Sequence, residues 1–345
     1  MRVLHLISSS GVYGAEKMVV GLCEALPQHG VQASLEVFDN QHARNVDVAD
    51  YARQYAVGVR LLPCKGRFDP QAVKRLRADI KDYGADLLHV HGFKANLYGY
   101  LASRLLVPIV ATNHRFDSGP QNRFDRPTLK RMNAVYAVSN EARDSLRAVY
   151  GITNAMTIPN GVDPRDFTST TPALDLPHPI VGMVARLAPE KAPQDFLRTA
   201  AQIPEATFVV VGDGPLRADL EALAPSNVRF LGFRDDMPGV YASLDVLVQP
   251  SLREGMPMTI LEAMASGVPV VATRVGAAAD VIDNGRTGML IPPSDVPSMM
   301  AAVRSLLRGD HGIGAAARQE VQKSFTVDVM ARRYAEQYAI VLARR

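Results

Sequence analysis

Glu254 and Glu262 stand eight positions apart in Glu254-Gly-Met-Pro-Met-Thr-Ile-Leu-Glu262, where a loop containing glycine and proline runs into an amphipathic helix pattern. The stretch Gly255, Met256, Pro257, Met258 offers backbone N–H groups with little side-chain obstruction. A helix N-terminus carries roughly half a positive charge, so a phosphate-bearing ligand fits such a loop. Two carboxylates beside an anion site imply hydroxyls to be gripped. A sugar nucleotide has all of these groups: a diphosphate for the loop, a hexose for one glutamate and a ribose for the other.

Other segments supply complementary chemistry. Arg186-Leu-Ala-Pro-Glu-Lys191 places two cations five residues apart on a loop, a fork and a point charge that can both reach a diphosphate. Solvated loop cations are the ordinary reading of such a pair taken alone. Leu231-Gly-Phe233-Arg234 ends an apolar run and can offer backbone groups to a nucleobase, although Phe233 can equally be core. Val211-Gly-Asp-Gly-Pro215 reads as a tight structural turn. Near the start, Ser9-Ser-Gly11-Val-Tyr-Gly14-Ala-Glu16 is a glycine-bearing turn leading into a helix over 17–25, with Glu16 either favouring the helix dipole or meeting a ligand. Only Gly11 and Gly14 match the dinucleotide fingerprint Gly-x-Gly-x-x-Gly, which weakens a nicotinamide reading.

Histidines mark the carboxyl ends of two predicted strands. In His89-Val-His91-Gly, alternation is expected to bury one imidazole and present the other at the sheet edge; in Thr112-Asn-His114-Arg115, His114 follows the next strand. An imidazole there can hydrogen-bond a hydroxyl or phosphate, or transfer a proton. No carboxylate-rich cluster accompanies the histidines and no Asp-x-Asp triplet occurs, so a metal-dependent diphosphate site lacks its usual ligands. No metal site is expected.

These segments need a scaffold of parallel strands whose carboxyl ends face the ligand. Short apolar runs alternate with helical patterns from end to end. Strands are predicted over 3–8, 33–38, 87–90, 109–112, 135–138 and 156–159, then over 180–185, 207–212, 228–232, 246–249, 270–273 and 289–291. Two such sets in 345 residues with 47% hydrophobic content suggest an α/β chain of two doubly wound domains. The stretch 163–179, with Thr168-Ser-Thr-Thr171 and four prolines, is the most linker-like, giving a first domain over 1–165 and a second over 166–326. An amphipathic helix from about 327 to the C-terminus at 345 is expected to pack back on the first domain.

Composition narrows the function classes. Two cysteines in unrelated contexts give neither a disulfide framework nor a metal spacing. The first apolar run is too short for a signal peptide and no membrane-length run follows, so a soluble cytoplasmic chain is expected. The first 166 residues hold 21 Lys and Arg against 16 Asp and Glu, and the rest 17 against 19. With no Trp and no continuous basic helix, nucleic acid is a poor explanation for that bias. Arg115, Arg123, Arg126, Lys130 and Arg131 instead suggest a phosphate-bearing acceptor, or peripheral attachment to an anionic inner membrane face.

Taken in order, Gly11 to Glu16, Pro159-Asn-Gly-Val-Asp163, Arg186 with Lys191, Val211 to Pro215, and Pro250 through Thr273 resemble the retaining glycosyltransferases of family 4. The likeness spans nearly the whole chain. It implies the GT-B architecture, two Rossmann-like domains facing each other across a cleft, with the acceptor on the first and the nucleotide-sugar donor, of UDP or GDP type, on the second. It further implies that Arg186 and Lys191 bind the donor diphosphate and that Glu254 holds hydroxyls of the transferred sugar. The loop Gly255, Met256, Pro257, Met258, Thr259 would meet sugar and phosphate, Glu262 the ribose, and Phe233 and Arg234 the base side. Gly14 would approach the diphosphate and His114 the transferred sugar, with His91, Glu16 and Arg115 as further contacts. Such enzymes need no divalent metal and no other cofactor. The acceptor hydroxyl, on a glycan, a lipid-linked sugar or a small molecule, attacks from the face the nucleotide leaves, and a donor phosphate oxygen takes the proton. Two departures stand out: Ala192 where the family often has glycine, and Gly-Val-Tyr-Gly in place of a glycine pair. The alternatives are a sugar-nucleotide epimerase or hydrolase on the same fold, a dinucleotide-dependent oxidoreductase, and a non-catalytic nucleotide-sugar binding protein.

Overall fold

The computed structural model describes residues 1–9, 11–41, 46–66, 68–114, 122–168, 171–309 and 312–344, apart from the side chains of 122–124. The chain divides into two compact units, one formed by Met1–Gly161 with Val327–Arg345, the other by Val162–Thr326.

The first unit holds seven parallel strands: β1 (Arg2–Ile7), β2 (Gln32–Asn40), β3 (Gly58–Cys64), β4 (Leu87–His91), β5 (Ile109–Asn113), β6 (Ala134–Ala137) and β7 (Met156–Thr157), in the order β3-β2-β1-β4-β5-β6-β7. Such a sheet is buried on both faces, which is why its strands are near-continuous apolar runs. One face packs against the helices Gly14–Ala25 and Asp47–Gln54 and the C-terminal helix Val327–Ala343, around Val19, Leu22, Leu35, Tyr334 and Tyr338. The other packs against Pro70–Tyr83 and Phe93–Ser103, around Leu6, Leu76, Val90 and Tyr98.

The second unit has six parallel strands: β8 (Ile180–Val184), β9 (Thr207–Val211), β10 (Val228–Gly232), β11 (Val246–Gln249), β12 (Val270–Thr273) and β13 (Met289–Ile291), in the order β10-β9-β8-β11-β12-β13. Its core includes Val181, Phe196, Phe208, Val248 and Val303. In each unit the strand order reverses once, between β1 and β4 and between β8 and β11.

β3 is the strand that the sequence pattern leaves out. It lies at the sheet edge and contains Pro63, which an edge strand tolerates because one side needs no ladder hydrogen bonds. The predicted strand over 156–159 is reduced to the two residues of β7.

Beside β3, Glu36 of β2 is fully buried, its register partner is Arg60, and no N–H or hydroxyl donor reaches its carboxylate, which can hydrogen-bond to the neighbouring Asp79 only when one of the two is protonated. Burial, reinforced by the neighbouring Asp79 carboxylate and only partly offset by Arg60, pushes its pKa up to about 9. The folded chain therefore binds a proton there that the unfolded chain releases near pH 4.5, so this group's contribution to stability falls as pH rises from about 4.5 towards 9. A tenfold difference in proton affinity between the folded and unfolded chain is worth about 1.4 kcal/mol, so the penalty near neutral pH is on the order of 3 kcal/mol. Glu36→Gln is expected to gain stability relative to the native chain progressively between pH 5 and 8, read as urea midpoints at each pH. A difference that stays flat with pH would contradict the assignment.

Candidate functional site

Ligands of open α/β sheets bind outside the carboxyl ends of the strands where the order reverses. In the second unit that point lies between β8 and β11. The loop leaving β8 carries Arg186 and Lys191, and the loop leaving β11 carries Glu254. The two loops are tied by the Leu252 N–H, which donates to the Glu190 carbonyl at 2.9 Å.

Three donors converge on one oxygen of Glu254. Its Oε1 accepts from Lys191 Nζ at 2.6 Å, Gln249 Nε2 at 2.7 Å and Ser251 Oγ at 2.7 Å. Only 7% of the Glu254 side chain and 22% of the Lys191 side chain reach solvent. Gln249 is itself oriented by the Thr259 hydroxyl, which donates to its Oε1 at 3.2 Å. Oε2 of Glu254 has no protein partner among the described residues. Arg186 is exposed and likewise unpaired among the described residues, so the two cations of this loop differ: one is committed to a carboxylate and one is free.

The backbone supporting these groups is tightly constrained. A Cβ on Gly212, whose φ is +123°, would lie 2.1 Å from the Ala185 carbonyl oxygen, so the turn after β9 can back the Arg186 loop only as glycine. On the segment after β12, Gly276 at φ +56° lets the chain pass the Glu254 carbonyl, where a Cβ would lie 2.3 Å away. Ala192 adopts the left-handed conformation, φ 46° and ψ 49°. That is the conformation glycine accommodates without strain, and alanine bears it here at a cost of about 1–2 kcal/mol.

The helix Met258–Ser266 starts directly after this loop and no side chain caps its N-terminus. Its end is marked by Gly267 at φ +79°. The Gly255 carbonyl accepts from the Ala277 N–H at 2.9 Å, Met256 and Pro257 are buried, and Met258 and Thr259 form the first turn. Glu262 is buried one turn further on, and its Oε2 accepts from the Tyr241 hydroxyl at 2.7 Å. Burial, with Glu262 beside it, raises the Tyr241 phenol well above its usual range, which keeps it a donor. As with Glu254, the second oxygen of Glu262 has no protein partner among the described residues.

After β10, Phe233 is not core: it is 79% exposed. Arg234 makes a two-pronged ion pair with Asp236, at 2.7 and 2.5 Å, so its charge is already partnered. The sequence pattern does not single out Gln249, Ser251 or Tyr241. The signal for the first two is a glutamine closing an apolar strand and a serine two residues later; Tyr241 leaves none, because its role depends on a helix that folds across from Glu262.

In the first unit, Gly14 is the first residue of the helix Gly14–Ala25, and Glu16 turns back to accept from the Tyr13 N–H at 3.1 Å, capping that helix. The expectation that His89 and His91 divide between core and edge is corrected: both are buried. Residues two apart on a strand share a face, so one cannot be buried and the other presented by alternation. They meet His5 of β1 on that face. His5 Nδ1 lies 3.1 Å from His91 Nε2, and His91 Nδ1 lies 3.1 Å from His114 Nε2. His89 hydrogen-bonds through Nδ1 to the Tyr338 hydroxyl at 2.6 Å and through Nε2 to the Thr112 hydroxyl at 2.7 Å; Thr112 also meets Tyr334 at 3.0 Å. Burial lowers the pKa of His5 to about 3 and of His114 to about 4, and holds His89 and His91 well below the usual range.

His5, His89 and His91 offer ligand atoms within 4.8 Å of one another. Five of their six ring nitrogens are already hydrogen-bonded, so a cation could be held only by dismantling that network. Arg115 and the side chain of Arg123 lie outside the described residues. Of the remaining basic group, Arg126 donates to the Tyr150 carbonyl at 3.1 Å and Arg131 to the Pro127 carbonyl at 2.8 Å. Among the described residues no helix is long and apolar enough to cross a membrane.

Comparison with known proteins places this geometry. Residues 12–166 match the model of Glycosyltransferase Family 4, and residues 178–309 that of Glycosyl transferases group 1. A GDP-mannose-dependent alpha-mannosyltransferase of Mycobacterium tuberculosis is 30% identical over 343 residues, covering 90% of this chain and 88% of that protein. A UDP-Gal:alpha-D-GlcNAc-diphosphoundecaprenol alpha-1,3-galactosyltransferase of Escherichia coli is 31% identical over 63% of this chain, and the sulfoquinovosyl transferase of Arabidopsis thaliana 30% identical over 77%. The chain spans less than two thirds of the length of these last two, 65% and 60%. Among solved structures, Anabaena HepE in complex with UDP and glucose superposes with a TM-score of 0.85 at 22% identity, covering 99% of this chain and 100% of that one, and sucrose-phosphate synthase from Thermosynechococcus elongatus with 0.83 at 20%, covering 100% of each. With two doubly wound parallel sheets of the GT-B class and a relative matched almost end to end, the chain belongs to glycosyltransferase family 4.

Proposed function

We propose that this protein is a retaining, metal-independent glycosyltransferase that moves a sugar from a nucleoside-diphosphate sugar to a hydroxyl of a glycan, lipid-linked or small-molecule acceptor. The observation that carries the reading is the pair of half-used carboxylates. Glu254 and Glu262 are each anchored through one oxygen, by Lys191, Gln249 and Ser251 in one case and Tyr241 in the other, which leaves the second oxygen of each to accept a ligand hydroxyl.

The roles follow from that geometry. Glu254 Oε2 would accept from hydroxyls of the transferred sugar and Glu262 from the ribose. Arg186, unpaired and exposed, would meet the diphosphate and stabilise the charge developing there as the glycosidic bond breaks. Lys191 would add its charge while holding Glu254 in place. The uncapped start of Met258–Ser266 would add backbone N–H groups, and the exposed Phe233 ring a face on which a base can stack. In the transfer, the acceptor oxygen attacks the anomeric carbon on the face the nucleotide leaves, the carbon–phosphate-oxygen bond breaks, and the acceptor proton passes to the departing phosphate oxygen. Two of the relatives named above are a UDP-Gal-using galactosyltransferase and a GDP-mannose-dependent mannosyltransferase, which supports a donor of one of those types. Arg126, Lys130 and Arg131 would favour a phosphate-bearing acceptor or an anionic membrane surface.

A thermal-shift panel of UDP, GDP, ADP, NAD and their sugar conjugates is expected to show stabilisation by one nucleoside diphosphate, undiminished by EDTA and lost in Arg186→Ala/Lys191→Ala. Ligand at about 100 times Kd should add roughly 2.7 kcal/mol. Stabilisation by NAD alone, or only with added divalent metal, would overturn the reading. With the donor identified, Glu254→Gln is expected to lower kcat roughly 100-fold with little change in donor affinity, whereas Arg186→Ala should harm both, since the free cation meets charge in ground and transition states alike. Equal, small effects in steady-state kinetics would contradict the two roles.

A further inference from the structure

Four of the chain's eight histidines, His5, His89, His91 and His114, gather into one largely buried group. Within it, three rings make a chain: His5 Nδ1 to His91 Nε2, then His91 Nδ1 to His114 Nε2, each link 3.1 Å. The two end atoms, His5 Nε2 and His114 Nδ1, are buried with no hydrogen-bond partner.

Burial disfavours the charged form of all three rings, so each carries a single ring N–H. Two hydrogen-bonded links then allow only two arrangements. In one, every N–H points towards His114: His5 Nδ1–H donates to His91, His91 Nδ1–H donates to His114, and the spare N–H is on His114 Nδ1. In the other, every N–H points the opposite way, which leaves His114 Nδ1 a bare acceptor and strands an N–H on His5 Nε2. Any mixed arrangement sets lone pair against lone pair, or N–H against N–H, at 3.1 Å.

The two ends are not equivalent. His5 lies in the middle of β1 with no exposure, whereas His114 follows the carboxyl end of β5 and is partly exposed as a residue, although its Nδ1 is buried. Each arrangement leaves one N–H unmet, the costlier defect, and one bare lone pair, so the two differ in whether that N–H lies in mid-strand or at the strand end. The arrangement that puts the spare N–H on His114 places it at the strand end on a partly exposed residue, where a small side-chain movement brings it to water in the free chain or to a ligand oxygen.

We propose that His5 and His91 are positioning residues that hold His114 in the Nδ1–H tautomer, so that it presents a hydrogen-bond donor to an oxygen of the bound ligand. His114 is then a donor in the resting protein and not a general base. The inference rests on the proposed function only for what that oxygen belongs to, a hydroxyl or phosphate oxygen of the sugar nucleotide. The tautomer itself is a property of the free chain.

Long-range 1H–15N correlation on the full, ligand-free chain distinguishes protonated from bare ring nitrogens. Between pH 6.5 and 8, His114 is expected to be neutral with its proton on Nδ1. His91→Asn keeps a donor near the position of His91 Nδ1 and should preserve that tautomer, whereas His91→Leu should shift His114 towards Nε2–H, with folding of both variants checked by thermal melts. Nε2–H or a charged ring in the native protein would overturn the proposal with no variant needed, as would an unchanged tautomer in a folded His91→Leu. Cobalt(II) titration giving visible ligand-field bands, lost in His5→Leu, would also overturn it by showing that the imidazoles form a metal site. Because no donor or acceptor sugar enters the measurement, a negative result here leaves the glycosyltransferase reading standing, and a failed activity test leaves the tautomer result intact.

Discussion

A single carboxylate oxygen organises the second unit's site. Glu254 Oε1 receives an ammonium, an amide and a hydroxyl within 2.7 Å, and those three donors come from two different loops and one strand end. A buried carboxylate is costly unless it is paired and hydrogen-bonded. The loops after β8 and β11 must therefore sit side by side, and their positions constrain much of what surrounds them: glycine at 212 and 276, the strained Ala192 before the next helix, and a helix that begins at Met258 with its N-terminus left open. The same pairing commits Lys191 to the protein, while Arg186 is exposed and unpaired among the described residues.

The first unit solves a different problem with the same economy of charge. Instead of ion pairs, the face of its sheet between β1, β4 and β5 carries neutral imidazoles and the hydroxyls of Thr112, Tyr334 and Tyr338, hydrogen-bonded to one another among apolar side chains. The C-terminal helix supplies Tyr334 and Tyr338 to that network, so the last segment of the chain fixes the orientation of His89 as well as closing the core. Polar groups in low dielectric are expensive when unmatched and rigid when matched, so a linked network of this kind fixes the orientation of its members.

Much of this is legible in the sequence, for identifiable reasons. Parallel strands buried on both faces write themselves as apolar runs, so twelve strands can be found; β3 escapes because an edge position permits Pro63, Arg60 and a half-exposed pattern. Glu254, Lys191 and Glu262 can be picked out because short loops at strand ends keep chemistry-bearing residues close in sequence. What stays hidden is long-range. The pairing of Lys191 with Glu254 spans 63 positions, Tyr241 reaches Glu262 from another helix, and His5 joins His91 across 86 positions. The misreading of His89 and His91 is of another kind, an error in strand periodicity, since residues two apart on a strand must share a face.

The most direct test of the account is a double-mutant cycle on stability with Lys191→Met, Glu254→Gln and the pair together. If Glu254 and Lys191 form one preorganised unit, each single change strands a partner and the double variant recovers part of the loss, giving a coupling of at least about 1 kcal/mol from denaturation midpoints. Single effects that add to within about 0.3 kcal/mol would show the two residues acting independently, and the site as described would not exist.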